Sequence, residues 1–374
     1  MSTASYNAFT LATGANISME GNSTEMPTLY LSPVKWTWVT GLQLFLAILG
    51  IIGNFLVILV YKKNIKLRSP TNTLIAALAL ADLFTSILCI PHPTLSYVPE
   101  NGAGLLFCRL VHSKNIMWIT IVASIFTLTM TSIERWVAVV YPTRYKDIFT
   151  MQRTKLVIAI SWIFSFFINT VSYYVTFVEN HECVLRYWTP EYKKFLGIMY
   201  FLVEYFIPMG LMMAANLKTI QALKLQAKAL LARNESLNSP AFSLLRARRR
   251  VIEMLLIVIL TFFVCWTPDQ IFFLLYNIDV LPVKYLYSHL YYIFVVLAYS
   301  NSCMNPIIYA FKNKNFRKAL MQQVPSRFAT RRSKKNVLFE TPSGENKTNV
   351  PTNHVLLSRR EKTTNITMTK ETFA

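Results

Sequence analysis

The residue pair with the most evident chemistry is Glu134-Arg135, which lies at the end of a long apolar run. A carboxylate can hold a neighbouring guanidinium by charge-assisted hydrogen bonds, and a partner that competes for either group can rearrange the pair. The same two residues could instead be charges that extend toward water from a membrane boundary. The pair alone therefore indicates either a switch or a solvated helix end.

A second candidate site centres on Asp82, a carboxylate inside the second apolar run. An ionisable group within a spanning helix is costly enough to be a functional hypothesis by default. Polar residues of other apolar runs could surround it with oxygens: Asn54, Ser124, Asn301, Ser302 and Asn305. One charge among neutral oxygens suits a small hard cation such as sodium. The bland alternative is that these groups satisfy one another and hold the helices together.

Prolines interrupt three further apolar runs, at Pro208, Pro268 and Pro306. Each removes a backbone hydrogen bond and allows a kink about which half of a helix can swing. The second proline follows Trp266, and the third begins a stretch that ends at Tyr309. Kinks are common in membrane helices, so each proline taken alone is weak support for a hinge.

The elements that position these residues are predicted to be membrane helices. The chain has 374 residues, of which 53% are hydrophobic and only 15% charged, whereas about a quarter of an ordinary soluble protein is charged. A hydrocarbon core of about 30 Å needs about 20 mostly apolar residues per helix. Seven windows qualify: 37–61, 71–95, 106–140, 155–178, 194–222, 250–276 and 285–311. The predicted fold is an all-α membrane protein, a seven-transmembrane helix bundle.

The distribution of basic residues predicts the orientation and the domains. Lys and Arg are concentrated in 62–68, 144–155, 218–250 and 312–318, which are therefore expected to be cytoplasmic, with the N-terminus outside the plasma membrane. No basic region followed by an apolar stretch precedes helix one, so that helix is expected to direct insertion. The predicted domains are an extracellular tail (1–36, glycosylated at Asn16 and Asn22), the bundle (37–311), a short amphipathic helix on the membrane surface (312–323) and a disordered cytoplasmic tail (324–374).

Several functional classes fit the sequence poorly. The net charge of +20 is spread over short segments, which favours membrane lipids and an acidic cytoplasmic partner over nucleic acid. Neither a nucleophile with its base nor a metal cluster is apparent, so we expect no enzyme and no required cofactor. A channel would need rings of charge or a filter loop. A membrane transporter is the remaining alternative, although the internal repeats common in transporters are not apparent.

Taken in order, these pieces resemble the rhodopsin-like (class A) G-protein-coupled receptors over residues 40–325. The resemblance rests on Gly53-Asn54, Leu78 to Asp82, Glu134-Arg135-Trp136, Trp162, Pro208, Phe262, Cys265 to Pro268, and Asn305 to Tyr309. It implies a receptor that binds an extracellular ligand and activates a heterotrimeric G protein by outward movement of helix six. Arrestin and receptor kinases would then act on the cytoplasmic tail.

The resemblance also assigns roles to single residues. The family's sodium pocket, which favours the inactive state, matches Asp82, Ser124, Asn301, Ser302 and Asn305. The triad beneath the ligand matches Ile125, Pro208 and Phe262, with Trp266 as the side chain that senses the ligand. G-protein coupling and activation match Glu134, Arg135 and Tyr309. A disulfide between helix three and the following extracellular loop matches Cys108 and Cys183.

Three departures from the family pattern affect these roles. The interval from Cys108 to Arg135 is two residues longer than usual, which predicts a bulge near the outer end of helix three. Asn216 stands where the family has a tyrosine that partners Tyr309, and Arg248 stands where an acidic partner of Arg135 is usual. We therefore expect a weak inactive-state lock and some ligand-independent signalling.

The ligand is constrained mainly by exclusion. Tyr299 occupies the place of the lysine that binds retinal in the family, and Met117 occupies the place of the aspartate that binds amines. The predicted outer surface mixes charges with many aromatic residues, which favours a short peptide ligand and predicts neuropeptide signalling. The alternative is a small non-amine ligand, lipid-like or nucleoside-like. Its deeper pocket would be formed by Met117, Trp266, Phe273, Val295 and Tyr299.

Overall fold

A computed structural model describes residues 31–64, 69–234, 236, 238–312 and 314–321. Asn16, Asn22 and the predicted tail 324–374 lie outside them. Seven helices in the described part of the chain are long and apolar enough to cross a membrane: Trp38–Lys63, Pro70–Leu88, Gly102–Val140, Met151–Val175, Pro190–Ala232, Pro240–Asn277 and His289–Lys312. A short helix, Lys314–Met321, follows the seventh. The predicted fold is confirmed, and these spans are called helices one to seven.

Helix one shows why the bundle needs a lipid surround. Its buried residues recur every three or four positions and form one face: Gln43, Ala47, Gly50, Asn54, Val57 and Val60. The opposite face exposes large apolar side chains such as Phe45, Ile52 and Phe55, each more than half exposed. A water-soluble protein would not leave such a continuous apolar face uncovered. Acyl chains are the partner that this face fits.

Helix two is shorter than its predicted range of 71–95. Ser69 caps its start, because the serine side chain accepts a hydrogen bond from the Asn72 backbone N–H, and Pro70 occupies the first turn. The helix ends at Leu88, ahead of Pro91 and Pro93, neither of which can continue a helical hydrogen-bond ladder. Beyond them, strand β2 (Thr94–Leu95) pairs antiparallel with strand β1 (Leu31–Ser32).

Two spanning helices contain a π-helical turn. Helix three has one at Cys108–His112, and Lys114 then takes a left-handed backbone conformation with φ of 53°. This irregularity is the bulge predicted from the long interval before Arg135. Helix five has a second π turn at Phe201–Phe206, which the sequence analysis did not predict. Such turns insert one residue into an α-helix and re-aim the side chains around them.

The outer end of helix four also differs from its predicted range of 155–178. Regular α-helix runs from Met151 to Thr170, and a 3₁₀ turn covers Val171–Val175. The chain then forms a hairpin of strands β3 (Thr176–Glu179) and β4 (Glu182–Leu185). The helical prediction was wrong there because β-branched and aromatic residues, which hydropathy counts as helix-compatible, also favour strands. The hairpin turn is Asn180-His181, whose φ values are both positive, as a two-residue type I′ turn requires.

Helices five and six extend far beyond the predicted membrane windows 194–222 and 250–276. Helix five continues to Ala232, and helix six begins at Pro240 behind the Ser239 cap. Their extensions are polar enough to fall outside an apolar window yet lack a helix breaker, so they continue as helix. Helix seven begins at His289 after a 3₁₀ turn at Val283–Tyr287, later than the predicted residue 285.

Helix three forms the centre of the bundle. In its most apolar stretch 67% of the residues are buried, compared with 28% in helix one and 17% in helix four. Its buried side chains, which include Met117, Ile121, Ile125 and Leu128, share one core cluster with residues of helices five, six and seven. A residue on helix three is therefore in a position to sense changes in most of its neighbours.

Close approach of helices one and seven explains the glycine in the Gly53-Asn54 motif. A Cβ atom built on Gly53 would lie 2.8 Å from Cβ and 2.9 Å from Cγ of Pro306, whereas one built on Gly41 meets nothing within 4 Å. The proline ring is rigid and cannot move aside as a flexible side chain can. The two helices can therefore approach this closely only if residue 53 lacks a side chain.

We predict that Gly53→Ala lowers the free energy of unfolding by about 1–3 kcal/mol, the usual cost of overpacking. The matched variant Gly41→Ala, on the same helix, is expected to be neutral or stabilising by about 0.5–1 kcal/mol. Thermal unfolding of detergent-purified protein, followed with a thiol-reactive dye that reports exposure of the buried free cysteines, measures both. Equal melting temperatures for the two variants would contradict the close approach.

Candidate functional site

The predicted site residues lie in four zones along the bundle. The inner end is the end that carries Arg135, and the outer end is the end that carries Cys108. Between them lie the zone around Asp82 and the aromatic zone around Trp266.

At the inner end, Glu134 is completely buried and saturated with hydrogen bonds. Its carboxylate accepts bonds from Arg135 Nε at 2.5 Å and from the Arg135 terminal nitrogen at 2.6 Å. It also accepts bonds from Thr71 Oγ1 at 2.8 Å and from the Tyr145 hydroxyl at 2.5 Å. The hydrogen-bonding capacity of this buried carboxylate is therefore satisfied, and it holds the guanidinium of Arg135 against helix three.

Tyr145 reaches this carboxylate from a short helix, Pro142–Ile148, that follows helix three. Proline at its first turn starts the helix directly after helix three ends. Burial and the hydrogen bond to Glu134 raise the pKa of Tyr145 to about 12. The hydroxyl is therefore protonated at neutral pH and remains a donor. The sequence analysis did not identify Thr71 or Tyr145, because neither belongs to a charged or proline-containing motif.

A cavity of about 390 Å³ opens beside the Glu134–Arg135 pair. It lies between helices three and six, and Arg135, Arg248 and the apolar Val251 and Ile252 are among its lining residues. As predicted, Arg248 faces the same space as Arg135. Both charged residues of the lining are cationic, so the cavity favours a partner that brings negative charge or carbonyl oxygens.

Asp82 lies in the middle of the bundle with no exposed surface. One carboxylate oxygen accepts a hydrogen bond from Ser124 Oγ and the other from Asn305 Nδ2, both at 2.8 Å. Asn54 Nδ2 donates to the Ser302 backbone carbonyl at 2.9 Å. Helices one, two, three and seven thus meet at this network. Asn301 is buried nearby on helix seven.

Two acceptor oxygens in this network have no hydrogen-bond partner among the described residues. They are Asn54 Oδ1 and Asn305 Oδ1. Unpaired acceptors next to a carboxylate are costly in a dry interior unless a cation or a water molecule occupies the space between them. Among the described residues no three His, Cys, Asp or Glu side chains form a metal-binding group. The chemistry of the Asp82 network therefore fits a monovalent hard cation better than a transition metal.

Tyr309 lies near the inner end of helix seven and is 2% exposed, with a hydroxyl that has no hydrogen-bond partner in the described part of the chain. Asn216, on helix five, donates from Nδ2 to the Met212 carbonyl of its own helix at 2.7 Å. The two side chains are therefore not bonded to each other in this state. This is consistent with the departure noted at Asn216.

The aromatic zone brings the predicted triad and Trp266 into one core. Ile125 and Phe262 are buried in the main hydrophobic cluster, and Pro208 is buried on helix five. The ring of Phe262 lies 6.4 Å from that of Trp266, and Trp266 lies 6.4 Å from Trp118 of helix three. Displacement of Trp266 would therefore be felt through direct ring contacts in helices three and six.

The five predicted ligand contacts are not equally accessible. Met117 is 1% and Trp266 4% exposed, so both are core residues in this conformation. Tyr299 is partly buried against the same cluster. Phe273 and Val295 are also partly buried, and lie nearer the outer ends of helices six and seven. A ligand that reached Met117 would first have to separate these packed side chains.

Two ionisable residues of this zone, Glu204 and Asp269, were not identified by the sequence analysis, which singled out Asp82 in helix two. Glu204 on helix five is 8% exposed, and its Oε1 has no hydrogen-bond partner in the part of the chain described. Asp269 on helix six contacts Gln270 Nε2 at a long 3.5 Å. Both residues lie inside the predicted spans 194–222 and 250–276. The rule that singled out Asp82 would have found them.

The outer surface is built around the β3–β4 hairpin. The predicted disulfide is confirmed, and Cys108–Cys183 ties strand β4 to helix three. The Tyr97 and His181 rings stack at 4.0 Å, and the tyrosine hydroxyl lies 3.0 Å from His181 Nε2. The hairpin is therefore fixed at its edge and at its turn.

Ion pairs connect the outer ends of helices five and six. Lys193 Nζ lies 2.7 Å from Asp279 Oδ1 and 4.5 Å from the centroid of the Tyr276 ring. Lys194 approaches the other Asp279 oxygen at 3.4 Å. The hydrogen bond from Lys193 lowers the pKa of Asp279. The Asp279 carboxylate is solvent-exposed, so the pair orders the rim of the bundle more than it stabilises the fold.

Comparison with known proteins finds a matching family and many similar proteins. Residues 53–309 match the family described as 7 transmembrane receptor (rhodopsin family). The chain is 34% identical over 288 residues to an allatostatin-A receptor of Bombyx mori, covering 74% of this chain and 76% of that protein. It is 29% identical over 289 residues to a galanin receptor 2a of Danio rerio, covering 76% of this chain and 77% of that protein.

Proposed function

Because the chain belongs to the rhodopsin family of seven-transmembrane receptors, we propose that it binds a short peptide at its outer end and signals to a heterotrimeric G protein at its inner end. It is a multi-pass membrane receptor and not an enzyme. Because the chain belongs to this receptor family, the alternative that it is a membrane transporter is rejected. The observation that carries the peptide assignment is its similarity to two peptide receptors, named for allatostatin-A and galanin.

The outer surface supports a peptide ligand. The Arg186–Glu179 pair at 2.9 Å and the Lys193–Asp279 pair at 2.7 Å provide charges of both signs at the rim. Trp188 is 70% exposed and stacks on Tyr192. A peptide backbone needs hydrogen-bonding groups and its apolar side chains need flat aromatic partners, and this rim offers both.

The inner end supports a simple coupling mechanism. In the inactive state Arg135 is held by Glu134, which is itself held by Thr71 and Tyr145. Outward movement of helix six would widen the cavity between Arg135 and Arg248. The G protein would then compete for Arg135 with backbone carbonyls or a carboxylate. Tyr309, whose hydroxyl lacks a partner among the described residues, is available to turn inward and support the open state.

A sodium ion is proposed as an allosteric modulator at Asp82. The ion would be held by Asp82 and by oxygens of Ser124, Asn305, Ser302 and Asn301, and the unpaired oxygen of Asn305 supports this. When bound, it would supply a positive charge that neutralises the carboxylate and ties helices two, three and seven together. The hydrogen bonds from Ser124 and Asn305 to Asp82 already hold these three helices together in the closed arrangement.

The remaining partners follow from the orientation. We propose an extracellular N-terminus, glycosylated at Asn16 and Asn22, and a cytoplasmic tail on which receptor kinases and arrestin act. In the short helix Lys314–Met321, Phe316 and Ala319 are buried while Arg317 is exposed. An amphipathic helix of this kind lies along a membrane surface and contacts lipid headgroups.

The proposed function is tested by guanine-nucleotide exchange in membranes that contain this chain and purified G proteins. We expect members of a short-peptide library to accelerate exchange, whereas a matched library of lipids and nucleosides does not. Arg135→Ala is expected to abolish the response, because the guanidinium meets the G protein. An N-terminal epitope tag stained on unpermeabilised cells serves as the control for surface expression and orientation. Activation by lipids or nucleosides alone would reject the peptide assignment.

A second prediction concerns the inactive-state lock. Tyr145→Phe removes one donor from Glu134 and should weaken the lock by about 1 kcal/mol, which raises ligand-independent nucleotide exchange roughly fivefold. Tyr141→Phe, in the same connection, is the matched control because its exposed ring packs edge-on against Trp136. Basal exchange is measured at graded expression levels. If both variants matched wild type, and wild type matched mock membranes, the weak-lock interpretation would be wrong.

The third prediction concerns sodium. Replacing potassium by sodium at constant ionic strength should stabilise the purified protein by about 1 kcal/mol when the ion is present at several times its dissociation constant. Asp82→Asn should remove this difference. Ser86→Ala is the control, since Ser86 Oγ bonds the backbone carbonyl of Asp82 and not its carboxylate. The readout is the melting temperature in each salt, and an equal sodium effect in Asp82→Asn would argue against the site.

A further inference from the structure

Glu204 is a buried carboxyl group for which the described part of the protein provides no partner. It is 8% exposed, and its Oε1 accepts no hydrogen bond from any described residue. None of the ion pairs among the described residues includes it. This contrasts with Glu134, whose carboxylate accepts four hydrogen bonds. A carboxylate buried in a spanning helix is unstable unless a cation or several donors compensate it.

Neighbouring contacts place Glu204 at the level of the aromatic zone. The hydroxyl of Tyr205, the next residue, lies 2.5 Å from Thr267 Oγ1 of helix six. This contact fixes the π turn Phe201–Phe206 beside the turn of helix six that contains Trp266 and Gln270. A π turn re-aims side chains relative to a regular helix, and such turns are frequent at functional sites.

The adjoining turn of helix six adds further acceptors. Gln270 is 6% exposed, and its Oε1 also lacks a partner among the residues described. Asp269 precedes it, receives a long contact from Gln270 Nε2, and lies within electrostatic range of Tyr291 and Tyr299 of helix seven rather than beside helix five. Among the described residues of this zone, the Trp266 indole N–H is the one buried donor without a hydrogen-bond partner. In the described part of the zone, the unpaired acceptor oxygens of Glu204 and Gln270 thus outnumber the unpaired donor of Trp266.

An internal cation does not balance this excess. Lys114 is the lysine of the neighbouring helix-three bulge, and its Nζ lies over the ring of Tyr299 on helix seven, 6.0 Å from the centroid. Lys193 and Lys194 pair with Asp279 at the rim. These three lysines therefore have other partners.

We propose that Glu204, together with Gln270, binds a positively charged group of the extracellular ligand. This inference rests on the proposed function, because it assigns a chemical feature to the peptide. The group is an arginine or lysine side chain or a terminal ammonium. Guanidinium fits best, since it has five donors and no acceptor and can engage a carboxylate and a neighbouring amide oxygen together.

The first experiment measures the local potential without any ligand or G protein. A reporter cysteine is introduced as Gln270→Cys in the full-length receptor in native membranes. Its reaction rates with cationic aminoethyl methanethiosulfonate and anionic sulfonatoethyl methanethiosulfonate, added from the outer side, are compared. We expect the cationic-to-anionic rate ratio to fall at least about tenfold when Glu204→Gln removes the charge.

Control variants distinguish a local effect of the Glu204 charge from a general change in cysteine reactivity or receptor expression. Val280→Cys, on the exposed loop beyond helix six, should show the same ratio with Glu204 and with Glu204→Gln. The unmodified chain measures the background from its buried free cysteines. Glu204→Gln preserves side-chain size, and cell-surface staining confirms its expression. An unchanged ratio at Gln270→Cys, or no labelling there, would overturn the proposal.

The second experiment identifies the cationic group. Peptide pools that differ only in one residue, arginine, citrulline, lysine or norleucine, are compared in the nucleotide-exchange assay. The wild-type receptor should respond to arginine pools at about tenfold lower concentration than to citrulline pools, and Glu204→Gln should lose this preference. A preference for arginine or lysine retained in full by Glu204→Gln would overturn the assignment while leaving the peptide-receptor function intact. If no peptide pool activates the wild-type receptor, the proposed function fails and the inference, which rests on it, fails with it. An unchanged labelling ratio in a receptor that peptides do activate overturns the inference alone.

Discussion

A charged side chain buried between membrane helices must find its hydrogen-bond donors inside the protein or in a ligand, because lipid offers none. Three carboxylates of this bundle meet that constraint to different degrees. Glu134 has four donors and is saturated. Asp82 has one donor on each oxygen and unpaired acceptors beside it. Glu204 has an oxygen with no partner among the described residues. The number of donors rises from the outer end of the bundle to the inner end.

This order has a consequence for conformational change. A saturated site resists rearrangement unless a partner replaces its bonds, whereas an unsaturated site gains free energy when an occupant arrives. Ligand binding at the outer end therefore has a favourable electrostatic contribution available, and the inner pair opposes opening until a partner competes for Arg135. The packed rings of Trp118, Trp266 and Phe262 connect the two ends, and Pro268 gives helix six the break at which such a displacement becomes a hinge.

The sequence predicts this architecture well where one physical signal dominates. Hydropathy identified all seven spans, since nothing competes with burial in lipid over about 20 residues. It failed at helix ends, where local chemistry decides: Pro91 and Pro93 end helix two early, and the Asn180-His181 turn converts the end of helix four into a hairpin. The Cys108–Cys183 disulfide was available only from family resemblance, because spacing does not determine pairing.

The site was predicted unevenly for a related reason. Motif residues such as Asp82 and Arg135 were found, but Tyr145 was not, because its role depends on a short helix that folds back under helix three. Glu204 could have been identified from the sequence as an ionisable residue inside a predicted membrane span, but it belongs to no recognisable motif. The π turn that carries it depends on packing between helices five and six, and no local pattern of apolar residues encodes that contact.

The two ends of the bundle also differ in the charge that their buried groups favour in a partner. Unpaired oxygens of Glu204 and Gln270 lie in the outer half, whereas Arg135 and Arg248 line the inner cavity. The two guanidinium groups that line this cavity repel each other. An acidic residue at position 248 would attract Arg135 and stabilise the closed state, and Arg248 does not. Negative charge entering the cavity would be attracted by both. Arg248, which stands where the family usually has an acidic residue, therefore weakens the closed state by repelling Arg135. Its positive charge also strengthens the binding of a negatively charged partner.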